Sequence, residues 1–67
     1  MTDALRVLAA LQFAYPDGLT SGQIAWRLSW PLYRAEAALE ELASNGLIER
    51  EVERDWYVYR PKRGDRR

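Results

Sequence analysis

The chain has 67 residues, 48% of them hydrophobic and 12% aromatic, with no cysteine and no histidine. A chain this short closes one core at most, its aromatic content separates it from disordered chains, and the missing Cys and His exclude disulfides, thiolate or imidazole metal sites and the catalysis those side chains perform. Lys+Arg and Asp+Glu both total 10, yet residues 1–59 hold five arginines against nine acids, a net of −4, while residues 60–67 (Arg60, Lys62, Arg63, Arg66 and Arg67 against Asp65) carry +4.

The first predicted element is a helix from Thr2 to about Tyr15, with Thr2 or Asp3 as N-cap and Pro16-Asp17-Gly18 as the break. At about 100° per residue, Ala4, Val7, Leu8, Leu11, Ala14 and Tyr15 gather on the side that faces the core. Phe13 falls off that stripe, beside Arg6. It is either covered by chain wrapped around the helix, an isolated exposed apolar residue, or a contact for a partner or second copy.

Leu19-Thr20-Ser21-Gly22-Gln23-Ile24 marks the start of a second helix. Thr20 is placed as N-cap, Gln23 can bond back to it, and Leu19 and Ile24 hold the two positions of a hydrophobic staple. This short helix ends near Leu28-Ser29, with Ile24, Ala25 and Leu28 inward and Trp26 and Arg27 outward. Ser29-Trp30 forms a corner, since Pro31 can open a helix but cannot continue one. The third helix runs from Pro31 or Leu32 to Asn45, with Leu32, Ala35, Ala38, Leu39 and Leu42 as its inner face and Gly46 as the left-handed residue that ends it. Leu47 then folds back onto Leu42, and Trp30 reads as a core plug at the corner.

Residues 47–52 and 56–60 are two β-prone runs around Glu53-Arg54-Asp55, which predicts a hairpin. Alternation separates Ile48 and Val52 from Leu47, Glu49 and Glu51, and Trp56 and Val58 from Tyr57 and Tyr59; the pattern leaves open which set is buried. The domain is expected to span residues 1–60, followed by a basic tail over 61–67. No stretch reaches the length of a membrane span, and the apolar run from Ala4 to Ala14 lacks the features of a secretion signal. A soluble cytoplasmic protein without a membrane partner is the expectation.

Helix, capped short helix, tight corner, longer helix with a glycine stop, hairpin: this order resembles the winged helix-turn-helix superfamily, as in MarR-like, ArsR-like and PadR-like bacterial regulators. The resemblance covers residues from about 4 to 60. Its most specific part is the run from Leu39 to Arg50, similar to the end of a recognition helix passing into the first wing strand. The runs Gly18 to Ala25 and Trp56 to Tyr59 support it. The implied fold is α+β, three helices followed by a two-stranded antiparallel wing. The implied function is double-stranded DNA binding by a small transcriptional regulator, with the third helix in the major groove. Tyr33, Arg34 and Ala37 would then lie nearest the base edges, Arg34 with its fork on a guanine and Tyr33 on a phosphate or a thymine methyl. Ser21 and Gln23 would contact phosphates, and Arg50, Arg54, Arg60, Lys62 and Arg63 would supply the electrostatic attraction.

A second class of function competes with this one. Glu36, Glu40 and Glu41 lie on or beside the same helix surface, and Glu49, Glu51, Glu53 and Asp55 offset the arginines of the wing, whereas DNA readers present a basic face. Phe13 and Trp26 sit where polar residues are expected, and unburied aromatics are the usual anchors of protein interfaces. The alternative is therefore a winged-helix module that docks a protein or a second copy of itself. Enzyme function is not expected. Ser21, Ser29 and Ser44 have no His, Glu40 and Glu41 diverge by about 100°, Lys62 is the sole lysine, and no glycine-rich phosphate loop is present. No cofactor or metal is expected.

Overall fold

In the computed structural model, which describes residues 2–62, three helices precede a two-stranded antiparallel sheet. Helix α1 spans Asp3–Ala14 and begins at Thr2, whose Oγ1 accepts the Leu5 N–H at 3.3 Å. Helix α2 spans Ser21–Leu28 and opens with a complete capping box. Thr20 Oγ1 accepts from the Gln23 N–H at 3.1 Å, and Gln23 Oε1 accepts from the Thr20 N–H at 2.9 Å. Leu19 and Ile24 close the staple beneath it, both buried.

The ends of α2 and of α3 (Leu32–Ser44) share one device. Gly46 takes φ +72° after α3, the Leu47 N–H reaches the Leu42 carbonyl at 3.0 Å, and the Gly46 N–H reaches that of Ala43 at 3.0 Å. At the end of α2 the same left-handed place is held by Ser29, at φ +58°, with the Trp30 N–H on the Ala25 carbonyl at 2.9 Å. Both are Schellman stops. The second makes the 29–31 corner tight while seating a side chain where glycine is at ease.

Strands β1 (Ile48–Glu53) and β2 (Trp56–Pro61) pair from Ile48 with Pro61 to Glu53 with Trp56. The register resolves which face is covered. Ile48 is buried and its facemate Tyr59 packs on the core, so Arg50, Val52 and Tyr57 share the side turned toward α3. The opposite side carries Val58 and Arg60 and is closed by the 16–18 turn. Leu19 adds an isolated bridge to Tyr59, its N–H donating at 3.0 Å and its carbonyl accepting at 2.8 Å. Gly18 is required at that approach. It takes φ +82°, and an added Cβ would stand 2.7 Å from Val58 Cγ1 and 2.8 Å from the Tyr59 carbonyl oxygen.

Helix α3 is the common support: it packs against α1, α2 and β1, while β2 touches α1 and α2. The core is Ala4, Val7 and Leu11 of α1, Leu19, Ile24 and Ala25, then Ala35, Ala38, Leu39 and Leu42 of α3, and Ile48. Of the expected stripe residues, Leu8, Ala14 and Leu28 are partly buried against this core, and Tyr15 and Leu32 are exposed. Tyr15 is 44% exposed because, as the residue closing α1, it takes φ −57°, ψ 139° and leaves the helical spacing. Leu32 is 49% exposed; the stripe sets its angle around the axis, but it stands at the first position of α3, at the rim of the contact. Leu47 returns to Leu42 through its backbone while its side chain stays half exposed. The strand also runs one residue past the expected boundary, through Pro61, and the Lys62 N–H donates to the Leu47 carbonyl at 3.0 Å.

Two substitutions test this reading of the turns by thermal melting. Gly18→Ala combines a left-handed backbone with a steric clash and is expected to destabilise the fold by about 2 kcal/mol or more. Ser29→Gly relieves the same backbone penalty without loss of a core contact and is expected to raise the melting temperature by about 4–8 °C, the equivalent of about 1 kcal/mol in a domain of this size.

Candidate functional site

Arg34, expected as the base-reading group on the outward side of the α2–α3 pair, is paired within the fold while its side chain stays 43% exposed. Asp3 opens α1, and Arg34 lies in the first turn of α3. The Arg34 fork meets the Asp3 carboxylate with both prongs, Nε to Oδ2 at 2.8 Å and Nη2 to Oδ1 at 2.9 Å. Its Cζ also lies 4.2 Å from the centroid of a Trp30 ring, four residues back along the chain. A forked ion pair with a stacked guanidinium is specific in geometry as well as charge. The hydrogen bond from Arg34 holds the Asp3 carboxyl below the ordinary carboxylate value, helped by the charges of Arg34 and Arg6 and opposed by partial desolvation. The same bond raises the Arg34 guanidinium.

The remaining outward residues of α3 are Tyr33, 74% exposed, with Glu36, Ala37, Glu40 and Glu41 all exposed. Ser21 is half-buried, and Gln23 is exposed with its carbonyl oxygen engaged in the cap of α2. In the wing, Arg50 lies over the ring of Tyr57 at 4.3 Å. Arg60 donates to the Pro16 carbonyl at 3.0 Å and pairs with Glu51. Arg54 is exposed at the hairpin tip with φ +57°, and the Lys62 side chain is exposed. Arg63 lies outside the described residues. The expected cations thus separate into those engaged by the fold, Arg34, Arg50 and Arg60, and the exposed Arg54 and Lys62.

Two concave regions flank this surface. A cleft of about 280 Å³ lies between α3 and the inner side of the wing, bounded by Glu36, Leu39, Glu40, Ala43, Arg50, Tyr57 and Tyr59. A more open groove of about 550 Å³ runs along the outer side of α2, bounded by Leu19, Thr20, Gly22, Gln23, Trp26 and Arg27. Trp26 stands 84% exposed at its edge, and Phe13 is 86% exposed on α1. Among the described residues no three Asp or Glu side chains gather as a metal site, and no helix is long and apolar enough to cross a membrane.

Sequence reasoning missed Asp3 as the partner of Arg34 and Tyr57 as a wall of the cleft. Trp30 stands in the corner before Pro31, outside α3, so helical spacing does not announce its stacking on Arg34; Asp3 lies 31 residues away, beyond the reach of any local pattern. No protein-family model and no curated protein matches the chain.

The ion pair has a pH signature. Asp3 binds its proton less readily when folded than when unfolded, so the stability it contributes is complete above the ordinary value of 3.8 and is lost as pH falls through the lower folded value. Asp3→Asn is expected to lower the melting temperature at neutral pH, with the gap to the unmodified chain closing as melts are taken to progressively lower pH through that window.

Proposed function

We propose that this chain is a winged-helix protein-docking module, with the acidic outward side of α3, the cleft beside it and the Trp26 groove as its contact surfaces. The observation that carries this reading is the double engagement of Arg34 by Asp3 and Trp30. Without that guanidinium the outward side of α3 offers Tyr33, Ala37 and three glutamates. Duplex DNA carries one negative charge per about 1.7 Å of its axis, and neutralisation of phosphates supplies nearly all non-specific affinity. A surface of this sign repels that backbone. It complements a partner protein with a basic surface, which charge would steer into place, while Trp26 is the type of residue that anchors an interface.

The second reading, a DNA-binding regulator, is favoured by a specific arrangement. Tyr33 and Ala37 are bare on the outward side of α3, and Arg54 is exposed at the tip of the adjoining wing. In that reading Tyr33 and Ala37 face the groove, Ser21 and Gln23 sit at the phosphates beside α2, and Arg27, Arg54 and Lys62 provide the positive charge. Two copies would be needed to combine weak half-site contacts.

A gain-of-function variant separates the two. On the docking reading the unmodified chain leaves a mixed-sequence duplex unbound at low salt. Glu36→Lys with Glu40→Lys then confers binding whose added salt dependence corresponds to two phosphate contacts, a loss of about tenfold between roughly 50 and 200 mM salt. A duplex retained by the unmodified chain, with steep loss as salt rises, would overturn the docking reading and favour the DNA one.

A further inference from the structure

The cleft between α3 and the wing holds charges of both signs that do not meet. Glu36 and Glu40 stand one turn apart on the α3 wall, and among the described residues neither carboxylate has a hydrogen-bond or ion-pair partner. On the wing wall the rings of Tyr57 and Tyr59 stand at 61° to one another with centroids 6.5 Å apart, and the Arg50 guanidinium lies 4.3 Å from the Tyr57 centroid. Arg50 is held there by stacking, with no ion pair to any described carboxylate.

We propose that this cleft seats one arginine side chain of the docked protein, an assignment that rests on the docking reading and names what the partner brings to it. The sign follows from the walls, since Glu36 and Glu40 against Arg50 leave the lining one negative charge in excess. The size follows from the volume of about 280 Å³, which lies below the roughly 300–1,000 Å³ of sites for whole small molecules and suits a single side chain. Geometry chooses between the two cations. Residues four apart on a helix have Cβ atoms about 5–6 Å apart, a gap that a planar fork with five N–H donors bridges and a compact, strongly hydrated ammonium does not. Independently of the acids, the stacked Arg50 shows that the aromatic wall accepts the face of a guanidinium.

Arg50 is then the cleft's own place-holder. An incoming arginine takes over the Tyr57 face and turns its edge to Glu36 and Glu40, so the stacking contact is exchanged and the ion pairs that Arg50 lacks are added. The displaced Arg50 side chain, already exposed, returns to solvent. Arg50 therefore competes with the partner, and its removal strengthens binding, the opposite of what a phosphate-binding arginine in the wing would show.

The test titrates the full chain with the peptide acetyl-Gly-Gly-Arg-Gly-Gly-amide and follows amide NMR shifts. Saturable shifts at Glu36, Glu40 and Tyr57 are expected, with a dissociation constant on the order of a few millimolar for one side chain outside a full interface. The citrulline peptide, uncharged and of nearly the same shape, is expected to bind at least about tenfold more weakly, and the lysine peptide at least about threefold more weakly. Glu36→Gln with Glu40→Gln is expected to abolish saturation at an unchanged melting temperature, both side chains being exposed, and Arg50→Gln is expected to tighten binding about threefold. Absence of saturation, a citrulline or lysine peptide that binds as well as the arginine one, or an Arg50→Gln variant that binds no tighter would each overturn the proposal. The titration contains no duplex and the duplex experiment contains no peptide, so failure of the arginine seat and failure of the docking reading are told apart.

Discussion

Arg34 sits where the start of α1, the corner after α2 and the first turn of α3 converge, and its fork serves one planar partner at a time. With Asp3 across its edge and Trp30 against its face, the guanidinium joins the first helix to the third at the end where α3 lacks a side-chain cap. Pro31 supplies only its carbonyl there, accepting from Arg34 and Ala35 at 3.1 and 3.4 Å. The tie thus stands at a helix end with little local support of its own. The electrostatic character of the outward face follows from this placement, because the one cation on α3 is directed along the surface to Asp3 and the glutamates are left to define the sign of what remains.

Local chemistry was readable and long-range pairing was not. The capping box at Thr20 and Gln23, the glycine stop at Gly46 and the inner stripe of α3 from Ala35 to Leu42 are written within a few residues of one another, and each stands in the structure as its spacing indicates. The buried side of the hairpin could not be read because both alternating sets contain apolar residues. What decides it is the seating of Ile48 against the core, a tertiary fact. The bridge from Leu19 to Tyr59 spans forty residues and rests on backbone atoms common to every residue type, so its sole trace in the sequence is Gly18. The candidate site divides the same way: the bareness of Tyr33 and Trp26 follows from helical angle, whereas the engagement of Arg34 depends on a carboxylate at the opposite end of the helical region.

Smallness explains much of the surface. The core consists of eleven side chains, four of them alanines, so the helices approach closely and few positions lie deep enough to hide a large ring. Trp30 and Tyr59 are only partly covered for this reason and rest at the core's margin, where each also meets a polar or aromatic neighbour. Phe13 and Trp26 go further: at more than four-fifths exposed they gain almost nothing from folding.

Helix α1 then carries two loads. Its inner side and its N-terminal carboxylate position α3, through core packing and through Asp3. Its outer side leaves Leu5, Ala9 and Phe13 exposed, so the helix is held from one side alone.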